Sequence, residues 1–278
     1  MAELFAWTAP ASVVGAVADH TWVTTYDSRT RAYPDIGAVT AAGEDYWYCW
    51  GIFRARGGAP GNPTGFLGSQ AGDRNFAACL VAPNLDSVRH PPARGTIFRY
   101  GLDGVCHQLS NQVLYATGGS GGAPLTVSRA RGYWASVAVY GSYGRQNAAW
   151  QHRVRTCSAR IGGGGGARAA GDGAMEAHDE FARRAGELLG DDPEALASLL
   201  QLRAETHRHF ADRPFGRSGA SADLLNAFND MFFDEAARIV GPARFERLFG
   251  FRPGEQPALV DPAILDAQRL SEEGEGAA

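Results

Sequence analysis

Five consecutive glycines at 162–166, followed by Ala-Arg-Ala-Ala-Gly-Asp-Gly, divide this 278-residue chain into two stretches of different character. Glycine loses more conformational freedom on ordering than any other residue, so a run of this kind reads as a flexible tether. Before it, β-branched and aromatic runs alternate with Gly/Pro-rich turns; after it, leucines and phenylalanines recur at helical spacing. The division implies a mixed α+β part at 1–161, a linker at 162–173, a helical part at 174–270 and a disordered acidic end at 271–278.

In the first part, residues 2–18 read as a short helix or an irregular lead-in. Residues 20–26, His-Thr-Trp-Val-Thr-Thr-Tyr, have the composition of a strand, and residues 46–56 suggest a second as its candidate pairing partner. The Gly/Pro-rich stretch 57–73 reads as a surface loop, and 76–81 is apolar with no decided type. Further strands are expected at 125–127, 133–140 and 150–157. In the second part, helices are expected at 176–189, from Asp192-Pro193 to about residue 209, after Ser221, and at 243–249 beyond the Gly241-Pro242 break. The fold expected is thus α+β, an antiparallel sheet with a cysteine-bearing helix, joined to a C-terminal all-α bundle.

The basic residues number 26, every one an arginine, against 30 acids. Residues 1–161 carry 14 arginines against 9 acids and the remainder 12 against 21, so the positive excess is small and scattered. That excludes a nucleic-acid footprint, and the absence of any run of about 18 apolar residues argues against a membrane span. The opening Met-Ala-Glu-Leu-Phe has no basic cluster, which favours the cytoplasm. Cys49, Cys79, Cys106 and Cys157 lie far apart with no Cys-x-x-Cys pair, which argues against a disulfide framework and a structural zinc site. Cys49 and Cys79 sit in apolar runs and read as small core residues. No cofactor or metal is implied.

Cys106 differs from the other three cysteines in its setting. A Gly101-Leu102-Asp103-Gly104 turn precedes it, and Val105, Leu109 and Val113 then follow at the spacing of one buried helical face. With Asp103 as N-cap, Cys106 falls in the first turn, where the helix dipole and unpaired amides favour a thiolate. A thiolate nucleophile needs a base and a donor set for the oxyanion. His20, at the mouth of a strand ahead of Trp22, is the preferred base, with His152 as its competitor. Asn111, Glu44 and Asp45 are candidate orienting groups by type, and His107, Gln108 and Trp22 are candidate oxyanion or substrate contacts. His207 and His209, two apart on a helix, read as solvated.

Gly104-Val105-Cys106-His107-Gln108-Leu109-Ser110 resembles the nucleophile helix of the papain-like cysteine hydrolases, and Tyr100-Gly101-Leu102-Asp103 is similar to the turn of NlpC-type peptidases. A histidine ahead of the cysteine, as His20 is, matches the circularly permuted branch that includes relatives of lecithin–retinol acyltransferase. About twenty residues carry the likeness. No glutamine stands shortly before Cys106, which leaves the oxyanion hole to backbone amides. The resemblance implies attack by Cys106 on an amide or ester of a small peptide or metabolite; separately, the glycine tether leaves the C-terminal helices free to recruit a protein partner. The competing expectation is a non-catalytic binding module whose aromatic residues (Tyr46, Trp47, Tyr48, Trp50, Tyr133, Trp134) line a recognition surface.

Overall fold

The computed structural model of the chain describes residues 2–10, 18–25, 65–81, 95–97, 99–117, 124–161, 179–212 and 221–266. Three antiparallel strands, β1 (Ala2–Pro10), β2 (Asp19–Thr24) and β3 (Gly65–Gly72), form a sheet of order β2-β1-β3. Strand β1, expected as a helix or lead-in, lies in the middle. Its Leu4, Phe5, Ala6 and Trp7 are buried, and Trp7 pairs with Trp22 while Ala9 pairs with His20. Cross-strand pairing on both sides of β1 outweighs the modest helix preference of its alanines. Strand β3 forms within the stretch expected as a loop. Its glycine-rich sequence has little strand propensity of its own, and its place comes from pairing with β1. The expected strand at 46–56 and the linker at 162–173 lie outside the described residues.

Helix α1 (Arg74–Val81) follows, with the Asp73 carboxylate accepting from the amides of Asn75 and Phe76. Helix α2 (Cys106–Leu114), extended by a 3-10 turn (Tyr115–Thr117), packs across β2 and is buried along its whole length. Three segments differ from expectation. Residues 125–127 pair with none of the described strands, Tyr133–Tyr140 is helix α3, and Asn147–Ile161 is helix α4. Helix α3 is buried on nearly every side, so its sequence has no polar face to reveal a period and its β-branched valines mimic a strand. In α4 the buried residues are Trp150, Val154 and Cys157, spaced four and three apart as one helical stripe.

Cys79 of α1 and Cys157 of α4 form a disulfide across a sequence separation of 78. The expectation that the cysteines do not cross-link is thereby overturned, because spacing along the chain carries no information on which helices pack together. Closing a loop of this length is worth roughly 4 kcal/mol in the chain-entropy account.

The helical part matches expectation closely. Helices α5 (Glu180–Leu189), α6 (Pro193–Asp212), α7 (Ala222–Val240) and α8 (Pro242–Phe249) are present. Asp179, Asp192 and Ser221 accept the amides of Ala182, Ala195 and Leu224 at the starts of the first three. These helices are packed against the first part of the chain, and buried residues from Leu4 to Leu265 belong to one core. Arg203 of α6 donates to the α3 carbonyls of Val137 and Ala138, the Tyr133 hydroxyl bonds Glu180, and Arg184 stacks on Trp134. The described helices of the second part thus share one core with the first.

Candidate functional site

Cys106 is the first residue of α2, as its sequence setting implies, but the cap is built differently. The Asp103 carboxylate turns back to accept from the Arg99 amide at 3.0 Å and from its guanidinium at 2.9 Å. Val105 occupies the N-cap in extended conformation, and Gln108 reaches back so that its Oε1 accepts from the Val105 amide at 3.1 Å. The Gln108 amide group donates in turn to Ser136 Oγ and Gly141 O. Gln108 therefore holds the helix start in place, and the geometry gives it no exposed group for an oxyanion or substrate.

The Cys106 thiol donates toward the Asp19 carbonyl at 3.8 Å and faces a small cavity of about 20 Å³. His20 from β2, His107 from α2 and Tyr100 from the preceding turn line the same cavity. The structure thus brings together Cys106 and His20, the preferred pair. It also places His107 on the same cavity, although neighbouring helical residues ordinarily diverge. His107 Nδ1 lies 2.9 Å from Ser136 Oγ, and the His20 ring stacks at 5.9 Å on Trp22, which is fully buried.

His152 is elsewhere. It is exposed on α4, with its Nε2 3.5 Å from Thr156 Oγ1, so the competing base does not reach the cavity. Asn111 is buried and fully engaged. It donates to Tyr133 Oη at 3.0 Å and Ser142 O at 2.8 Å and accepts from the Val127 amide at 3.1 Å, which is a bracing role. Glu44 and Asp45 lie outside the described residues. Among the described residues, no group of three or more His, Cys, Asp and Glu side chains is arranged to hold a metal ion, and no helix is long and apolar enough to cross a membrane.

The last wall of the cavity comes from the far end of the chain. Leu259, Asp261 and Ile264 close it, and the Asp261 amide donates to Tyr100 Oη at 3.3 Å. The Asn226 side chain clamps this segment by bonding both the amide and the carbonyl of Val260. Val260 in turn packs onto Gly101, whose φ of 78° and near approach to Val260 leave no room for a side chain. Nothing in the Val260-Asp261-Pro262 sequence points to the cysteine. Its role is set by a tertiary contact across 161 residues.

Sealing decides the electrostatics. Cys106 is 7% exposed and His20 4%. Burial pushes the thiol up to about 11, with Asp261 adding to the rise, while bonds from Thr21 and the His107 amide pull partly back. Burial, and then the neighbouring His107, pulls His20 down to about 3; His107 itself falls to about 4. The resting pair is a neutral thiol beside a neutral imidazole. The thiolate expected from the helix dipole does not form here, because desolvation of a sealed anion outweighs a dipole effect of about 1 kcal/mol.

Of the aromatic residues considered for a recognition surface, Tyr133 is fully buried, while Trp134 is half-buried with the Arg184 guanidinium over its ring. Residues 46–50 lie outside the described residues. Comparison with protein-family models, curated proteins and solved structures gives no match.

Proposed function

We propose that the protein is a cysteine-dependent hydrolase or acyltransferase, held closed in this structure, which acts on an amide or ester of a small peptide or metabolite. The observation that carries the reading is that Cys106, at the start of α2, and His20, on the strand that α2 packs against, line one cavity. In the reaction, His20 takes the thiol proton as Sγ attacks the carbonyl carbon. The first-turn amides of α2, which have no partner within the helix, are the donors nearest the developing oxyanion. Collapse of the adduct passes the proton from His20 to the leaving amine or alcohol, leaving a thioester on Cys106. Water or an acceptor nucleophile then releases the acyl group.

A cavity of about 20 Å³ holds no substrate, so catalysis requires the wall at residues 258–264 to move outward. Opening would also admit water, lower the cost of charging both groups and bring their proton affinities together. The wall therefore controls access and reactivity at once. The Cys79–Cys157 disulfide favours an oxidising setting over the cytoplasm expected from the first residues.

Treatment with p-nitrophenyl acetate tests the reading. An acetyl group should appear on the tryptic peptide 100–129, in which Cys106 is the lone cysteine. It should be absent in Cys106→Ala, and turnover in His20→Gln should be about 10²- to 10⁴-fold slower. Acetylation that is no faster than in the urea-unfolded chain, or that is indifferent to His20, would refute the proposal.

A further inference from the structure

A second cavity, of about 400 Å³, lies on the other side of the turn that precedes Cys106, between α3, α4, α5 and α6. Its volume falls within the usual range for small-ligand sites. Arg145, Arg203, His207, Asp179 and the phenols of Tyr140 and Tyr143 are the ionisable side chains among its lining residues, and Ser142 lines it beside them.

Arg203 has a carboxylate partner in Asp179. Arg145 makes no salt bridge among the described residues, although the Asp103 carboxylate, itself paired with Arg99, lies close enough to favour its charge. Its Nε donates to Val139 O at 3.1 Å and its Nη1 to Leu102 O at 2.9 Å, and the guanidinium lies over the rings of Phe210 and Tyr140 at 3.5 and 4.5 Å. Its Nη2 is buried and has no partner among the described residues. Ser142 Oγ, on the same cavity, is likewise buried without a partner. A buried donor without an acceptor weakens the fold, a charged one most, so two of them beside one cavity are unfinished business for the fold.

The surroundings strengthen the sign. His207, expected to be solvated, is instead tucked in with its Nε2 3.3 Å from Ala138 O. It is pulled down to about 3 by burial and by the charges of Arg203 and Arg145, and is neutral near pH 7. Arg145 keeps its proton there, since burial lowers it only to about 10. The cavity thus holds two guanidinium charges against the one carboxylate of Asp179. It also borders Asn147, where α4 starts and the helix dipole is positive. Carbonyls at the end of α3 occupy part of each arginine, which explains how both are held in place and leaves the excess charge uncompensated.

We infer that this cavity is a binding site for a small oxyanion-bearing molecule, a phosphate or carboxylate, held by the free Arg145 Nη2 and the Ser142 hydroxyl. The site is independent of Cys106 chemistry. Its ligand completes the hydrogen bonding of both donors and neutralises the surplus charge. Because Leu102 O and the Asp103 backbone bind Arg145, the ligand sits one turn away from the nucleophile's own loop.

Titration calorimetry and thermal melts of the full chain with inorganic phosphate and, separately, succinate test this. Saturable binding of at least one anion at or below about 1 mM in low-salt buffer is expected. Ser142→Ala removes a hydroxyl that no described residue bonds, so it should fold normally and bind about tenfold more weakly; Arg145→Gln should bind weaker still. Phosphate preferred over succinate would assign a phosphate ligand, and the reverse a carboxylate. The absence of saturable binding by either anion up to about 10 mM would overturn the inference and leave the cavity to water. Equal affinity in wild type and Ser142→Ala, with the melting temperature of the free variant unchanged, would overturn it as well.

Discussion

The two cavities on either side of the Gly101–Gly104 turn solve opposite problems with similar side chains. Around Cys106 and His20 there is almost no free volume, and the ionisable groups are driven to their neutral forms. Around Arg145 and Arg203 there is room for a molecule, and the Arg145 charge persists without a salt-bridged carboxylate among the described residues. Burial alone therefore does not set the chemistry of a site. A thiol and an imidazole can shed charge cheaply by keeping or losing a proton near neutral pH, whereas a guanidinium cannot, so the fold must surround it with carbonyls, rings or a ligand.

The largest expected effect separates the cavities by function. Cys106→Ala should remove all acetylation of peptide 100–129 yet leave phosphate affinity unchanged. Loss of both would show that the cavities are not independent.

Loosening the wall should come next. Leu259→Ala removes a buried side chain facing the cysteine, and should raise the alkylation rate of Cys106 by iodoacetamide at least about tenfold at pH 7.5, on the view that a thiol's reactivity follows its exposure and thiolate fraction. Anion binding in the other cavity should not respond.

Acid should expose what the histidines share across the comparison. The unfolded chain takes up a proton at His20, His107 and His207 near 6.5, but the folded chain resists protonation until about 3 to 4. In that window the unfolded state binds more protons, so stability falls as the pH drops below 6.5. Between pH 6.5 and 5 the loss is on the order of 2 kcal/mol for each such group. Urea midpoints measured across that range check this, and His207→Gln should flatten the slope by about a third. An acid limb that is unchanged by this substitution would remove His207 from the account.

The smallest effect contrasts two serines. Ser136 Oγ bonds His107 and Gln108, so Ser136→Ala should cost about 1–3 kcal/mol in urea melts. Ser142 Oγ has no partner among the described residues, and Ser142→Ala, by removing an unpaired buried hydroxyl, should leave the ligand-free protein more stable than wild type, by up to about 1–3 kcal/mol.

How much of this could be read from the sequence differs between the halves. The C-terminal helices announced themselves because Asp192-Pro193, Ser221 and Gly241-Pro242 are local signals whose chemistry acts within one turn. Cys106 at a helix start and His20 on a strand were legible for the same reason. What failed depended on distant partners. Strand β1 and the helical state of Tyr133–Tyr140 are set by burial on all sides, and the Cys79–Cys157 bond by the packing of α1 on α4. The sealing of the cysteine by residues 258–264 reversed the expected thiolate, and Gln108 and Asn111 proved to be braces because their partners, Val105, Ser136, Tyr133 and Ser142, converge only after folding.

The central claim is that Cys106 and His20 form a working pair that the wall at 258–264 keeps neutral. The rate of Cys106 alkylation against pH, followed on peptide 100–129 in wild type, Leu259→Ala and Leu259→Ala/His20→Gln, tests it most directly. The account predicts a slow wild-type reaction that titrates toward about 11, a faster reaction with a lower apparent pKa once the wall is loosened, and loss of that downward shift when His20 is also replaced. A wild-type thiol that titrates like a free cysteine, near 8.5, or a downward shift that survives without His20, would contradict it.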